Sequence, residues 1–173
     1  MERMKGYQWV KPKEVEDNYI RLIGDQWMLV TAGAEEKFNM MTASWGGVGY
    51  LWNKPVVFIF IRPQRYTFGL IEEQEHFTLS FYDEKYRPVL NLCGKISGRD
   101  QDKVKESGLT PCLTEQGNIA FEEAGLILEC KKLYADFLRP EMFLDPTLCK
   151  QIYAEGDFHK MYVAEITSGW KKE

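Results

Sequence analysis

Three short stretches of this sequence bring together residue types that could hold a small anionic ligand. In FNMMTASW, residues 38–45, Thr42, Ala43 and Ser44 are small, two of them carry hydroxyls, and Met40, Met41 and Trp45 flank them. Small side chains let a flat heterocycle lie against the backbone, whose amides can then bond its edge. The same residues also read as an ordinary strand end with its hydroxyls in water. In IRPQRYT, residues 61–67, Arg62 and Arg65 bracket Pro63 and lead into Tyr66 and Thr67 at the start of a helix. Two guanidiniums beside a helix N-terminus suit a phosphate; simple solvation of strand-end arginines is the other reading. In CGKISGRDQDKV, residues 93–104, Ser97 and Gly98 supply a turn, and Arg99 and Lys103 are cationic. Asp100 and Asp102 there read as a helix cap and a first-turn charge. Together the three stretches suggest a mononucleotide with a planar ring.

Other chemistries lack their residues. Trp45-Gly46-Gly47-Val48-Gly49 follows a strand, but its spacing is not that of a dinucleotide fingerprint and no helix pattern follows. There is no Walker A motif, HExxH, GxSxG or EF-hand loop. With only His76 and His159, a histidine-rich metal site is not expected. Cys93, Cys112, Cys130 and Cys149 form no CxxC pair and read as reduced thiols. The net charge of −4, with Lys and Arg scattered, argues against nucleic acid as a partner. The N-terminus carries no apolar signal stretch, and the longest apolar run, Val56 to Ile61, is six residues, so no membrane span and a cytoplasmic location are expected.

The elements that would position these residues are mostly strands. Gln26–Thr31 and Phe38–Trp45 flank the turn-like AGAEEK, and Val56–Arg62 is continuously apolar, as a strand covered on both faces must be. Phe77, Leu79 and Phe81 alternate with Thr78, Ser80 and Tyr82. AGLILEC leads towards a further strand around Leu133–Phe137, and Lys160–Ser168 reads as a closing strand. Short helices are expected over Thr67–Gln74, Tyr86–Cys93, Asp100–Glu106 and Pro146–Tyr153, with Asp100 as the cap of the third. Strands with helices only in the connections indicate an all-β fold with short helices, a closed antiparallel barrel. The aromatic share of 14% suits such a core, a stacking site or a subunit interface.

The run from Asn39 to Lys103, NMMTASWGGVGYLWNKPVVFIFIRPQRYT and then SGRDQDKV, resembles the flavin reductase-like family of FMN-binding split barrels, the flavoredoxin kind most of all. GDFHKMYVAEI, residues 156–166, is similar to that family's last barrel strand. The resemblance implies one domain over residues 1–173, with an N-terminal extension at 1–20 and a split barrel of Greek-key type. It also implies a homodimer with FMN near the subunit interface. On that likeness Met41, Thr42, Ala43 and Ser44 would line the isoalloxazine. Arg62, Arg65 and Thr67 would hold the phosphate or ribityl chain, with Lys103 joining them. Trp52 would pack on the ring or on the partner subunit, and His159 would be the catalytic candidate beside the flavin. The implied activity is hydride transfer from NADH or NADPH to the flavin. The alternative is a flavoredoxin-like electron carrier that works with a redox protein partner and is not reduced by nicotinamide. The bulky Tyr50-Leu51-Trp52, where many members have serine and proline, would narrow access to the ring.

Overall fold

Strand β1 (Tyr7–Val10) and a helical stretch, α1 (Tyr19–Arg21) running into a π-turn over Leu22–Gln26, open the chain in a computed structural model that describes all 173 residues. Then follow β2 (Met28–Ala34), β3 (Lys37–Ala43), β4 (Gly46–Leu51), β5 (Lys54–Ile61), α2 (Tyr66–Glu73) and β6 (His76–Phe81). The second half holds α3 (Arg87–Lys95), α4 (Lys103–Ser107), β7 (Pro111–Leu113), β8 (Ile119–Phe121), β9 (Leu126–Phe137), α5 (Pro146–Ile152) and β10 (Lys160–Lys172). The main sheet is antiparallel in the order β3-β2-β6-β9-β10-β5-β4, with β1 added on β10. Residues 7–10, read from sequence as part of an extension, thus supply a strand of that sheet.

Neighbouring side chains on a strand enter different cores. Met28 and Val30 belong to an interior cluster with Ile59, Phe77, Leu79 and Tyr162. Leu29, between them, packs with Met40, Leu90, Phe121 and Trp170 on the other face, under α3 and the β7–β8 hairpin. Val57, Ile59 and Ile61 of the apolar run Val56–Ile61 enter the first cluster, but Phe58 and Phe60 on the other face are only half-buried, so the cover expected on both faces is partial within one chain.

A closed ladder was expected, and the ladder is open. β3 and β4 stand at its two ends although only Ser44 and Trp45 separate them in sequence. Gly46 accounts for the parting. Its φ of +156° turns the chain directly onto β5, and a Cβ there would lie 2.6 Å from the Phe58 carbonyl oxygen. β4 therefore pairs with β5, Gly46 facing Ile59, and not with β3. The glycine-rich GGVGYL is this strand.

Two smaller expectations are also corrected. Asp102, not Asp100, caps α4, its carboxylate accepting from the Val104 and Lys105 amides. Leu133–Phe137 is no separate strand but the end of the twelve-residue β9, which bends past β10 through two register shifts.

Candidate functional site

The parting of β3 from β4 leaves three strand ends facing one space. β10 pairs with β5 so that Lys160 lies opposite Ile61, which sets His159 beside Arg62. Met41, Thr42, Ala43, Ser44 and Trp45 come from the end of β3 and the link after it; Phe60, Arg62, Gln64 and Arg65 come from the end of β5 and beyond. With His159 they line an open pocket of about 310 Å³. The sequence stretches 38–45 and 61–67 are thus brought together, as their chemistry suggested.

A second space of about 140 Å³ adjoins the first, sharing Met41, Gln64 and Arg65. Tyr66, Thr67, Lys95, Ser97 and Lys103 also line it. Its floor is the N-terminus of α2. No side chain caps this helix, and the Tyr66 and Thr67 amides make no hydrogen bond within the chain. Orphan amides at a helix start, with Arg65 and Lys95 alongside, have the chemistry that suits an anion. Gly98 holds the 97–98 turn close: a Cβ there would lie 2.2 Å from Asn39 Oδ1 and 2.8 Å from the Tyr66 ring. Asn39 in turn donates to the buried Thr67 hydroxyl at 2.8 Å. A third space, with Trp27, Leu90, Asn91 and Gly94, shares Thr42, Ser44 and Arg65 with the first. Arg65 borders all three spaces, and one of its Nη atoms donates to the Gly94 carbonyl at 3.0 Å.

The other expected residues are more constrained. Arg62 is ion-paired with Asp157, donates to the Ile152 carbonyl at 3.1 Å, and lies over the Tyr153 ring. Gln64 donates to the same Asp157 oxygen, and this bond first, then Arg62, holds the carboxyl below its ordinary range. The Thr42 hydroxyl donates to the Leu90 carbonyl, leaving its lone pairs for a ligand. Lys103 is buried and donates to the Met40 and Cys93 carbonyls at 2.9 and 2.7 Å, so only one of its three N–H groups is free. Burial pulls its pKa down to about 8, partly offset by Cys93. His159 is 8% exposed; burial first, then Arg62, holds it at about 4, so it is neutral at physiological pH. Its Nδ1 lies 2.8 Å from the Tyr153 hydroxyl, and its ring packs on Trp45 at 5.2 Å.

Trp52 is not brought to the pocket. It forms, with Asn53, the two-residue turn between β4 and β5, both at positive φ, and meets Tyr134 on the sheet surface. Tyr50 and Leu51 likewise do not line the pocket, so within one chain this hairpin does not narrow it. Residues not taken from sequence as site candidates include Trp45, Phe60, Gln64, Lys95, Tyr153 and Asp157. Trp45, Phe60 and Gln64 adjoin residues that were; Tyr153 carries no sequence signal and arrives through the long β9–β10 connection.

A family model described as the flavin reductase like domain matches residues 20–173. The fold is that of an FMN-binding protein from Thermus thermophilus, solved with bound p-hydroxybenzaldehyde, at 23% identity and a TM-score of 0.67, covering 84% of this chain and 70% of that one. Flavoredoxin from Methanosarcina acetivorans is similar at 21% identity and 0.65, covering 86% and 69%. Component B of nitrilotriacetate monooxygenase from Bacillus cereus gives 18% and 0.67, covering 95% and 81%. A search of curated proteins found no match.

Proposed function

The chain belongs to the flavin reductase-like family, and we propose that it binds FMN across the pocket and serves as an NAD(P)H-dependent flavin reductase. One observation carries this reading: a pocket walled by small residues and apolar rings adjoins, across Met41, Gln64 and Arg65, a second space over an uncapped helix N-terminus flanked by cations. That sequence of surfaces fits a flat ring at one end and a phosphate at the other.

Met41, Thr42, Ala43 and Ser44 would hold the ring, the small side chains of the last three leaving the backbone within reach. The Tyr66 and Thr67 amides, Arg65, Lys95 and the Ser97 hydroxyl would hold the phosphate. Lys103 would act mainly by fixing β3 to α3 through its two carbonyl bonds, with its third N–H available to the ligand. When bound, FMN supplies the redox chemistry, accepting hydride from NADH or NADPH and passing electrons on. The chain's own part is to bind, orient and bias charge, and the cations beside the ring would favour an anionic reduced state. The exposed aromatics Trp52 and Tyr134 support a homodimer formed through that sheet surface. No helix is long and apolar enough to cross a membrane, which fits the proposed cytoplasmic location.

Trp45, 47% exposed on the pocket wall, stands where an incoming nicotinamide would need room. It favours a second reading, an FMN electron carrier reduced by a protein partner. Anaerobic addition of NADH or NADPH to the FMN-loaded protein decides between the two. Bleaching of the flavin bands supports the reductase; bound flavin that stays oxidised supports the carrier.

A further inference from the structure

The β9–β10 connection, residues 138–159, reaches back over the pocket wall and sets Tyr153 against His159. The Tyr153 ring stacks on Phe158 at 4.7 Å and meets Phe143 edge-on at 5.8 Å, so its position is fixed by aromatic contacts independent of its hydroxyl. That hydroxyl lies 2.8 Å from His159 Nδ1 and has no other partner in the chain. The imidazole lines the pocket, and its Nε2 makes no hydrogen bond within the chain.

Two proton arrangements satisfy the contact. If Nδ1 carried the proton, the Tyr153 hydroxyl would accept, and its own hydrogen would face a protein interior without an acceptor. If the hydroxyl donates, Nδ1 accepts, both groups are satisfied, and the ring proton must sit on Nε2. We propose that Tyr153 is a positioning residue that locks His159 in the Nε2–H tautomer, so that the ring offers the pocket a hydrogen-bond donor for a carbonyl-type oxygen.

The surroundings agree. Arg62 lies over the Tyr153 ring and opposes an imidazolium, while Asp157 on the same connection favours one and is itself engaged by Arg62 and Gln64. Trp45, from the β3–β4 link, adds no charge. Burial raises the Tyr153 hydroxyl above its ordinary range, which keeps its proton in place. His159 therefore acts as a donor and not as a general base. That the acceptor is a flavin carbonyl or a nicotinamide carboxamide rests on the FMN reading; the tautomer does not.

Long-range proton–nitrogen NMR of the full-length protein labelled with ¹⁵N-histidine reads the tautomer directly, since the only other histidine, His76, is identified by His76→Gln. The expected spectrum has a protonated Nε2 and a bare Nδ1 on His159, unchanged between about pH 5.5 and 8. Tyr153→Phe keeps the aromatic stack, and loss of the donor should shift the tautomer ratio towards Nδ1–H by about tenfold, the equivalent of one hydrogen bond. A protonated Nδ1 in the unmodified protein would overturn the proposal without need of the variant, as would an unchanged ratio in a folded Tyr153→Phe. An FMN titration on the same samples reports on flavin binding separately, so either reading can fail alone.

Discussion

Replacing Arg65 with alanine should separate recognition of the phosphate from recognition of the ring. Arg65 borders all three connected spaces and stands directly before the two unpaired amides of α2. One of its donors is used on Gly94, leaving the rest of the guanidinium for a ligand. A charge-assisted hydrogen bond is worth about 1.5–3 kcal/mol, so its loss should raise the Kd for FMN by roughly 10- to 150-fold. The lost Gly94 bond should cost about 1 kcal/mol of stability, small enough to leave the protein folded. Arg65→Lys keeps the charge but not the fork and should fall between the two. The assay is a fluorescence titration with FMN and, as control, riboflavin, which has the same ring and no phosphate. Arg65→Ala should weaken FMN strongly and riboflavin little, with the FMN affinity of the unmodified protein falling as salt rises. An unchanged Kd for FMN, or equal losses for both ligands, would refute this placement of the phosphate.

Other perturbations test other parts of the site. Because His159 is held at about 4 against an ordinary 6.5, the unfolded chain binds its proton first as pH falls. Folding stability should therefore drop by roughly 3 kcal/mol between about pH 6.5 and 4 from this group alone. The difference between chemical denaturation curves of the protein and of His159→Gln isolates that loss, and identical pH slopes would contradict it. Gly98→Ala should cost about 1–3 kcal/mol and weaken FMN binding, because the new methyl displaces Asn39 from Thr67; thermal melts and the same titration measure both. Lys103→Ala should lower stability by roughly 2–3 kcal/mol by stranding the Met40 and Cys93 carbonyls, yet affect FMN less than Arg65→Ala. Trp52→Asn suits the left-handed turn better than tryptophan does, so it should leave the monomer intact while shifting a dimer towards monomer by light scattering.

What was legible in the sequence followed from local chemistry. Val56–Ile61 was legible as a strand, although its Phe58 and Phe60 face is only half-buried, and the Arg65-Tyr66-Thr67 run marked a helix start with cations beside it. What was not legible depended on long-range register. Gly46 and Gly47 lack side chains to show alternation, so β4 was hidden until its pairing with β5 was seen, and with it the open edge of the ladder. Arg62 and Arg65 look equivalent in sequence, but only the fold ties one to Asp157 and leaves the other largely free. Trp52 shares a loop with the strand that forms the pocket wall, and the turn geometry carries it to another surface. Asp100 and Asp102 are equally good caps by composition, and backbone placement alone chose Asp102.

The central claim, that FMN binds where β3, β5 and the start of α2 meet, is tested most directly by visible circular dichroism during an FMN titration. Free FMN has weak bands there, and a chiral, fixed pocket should induce strong ones that saturate at equal molarity with the chain and need a higher FMN concentration with Arg65→Ala. A spectrum that remains that of free FMN at saturating protein would contradict the account.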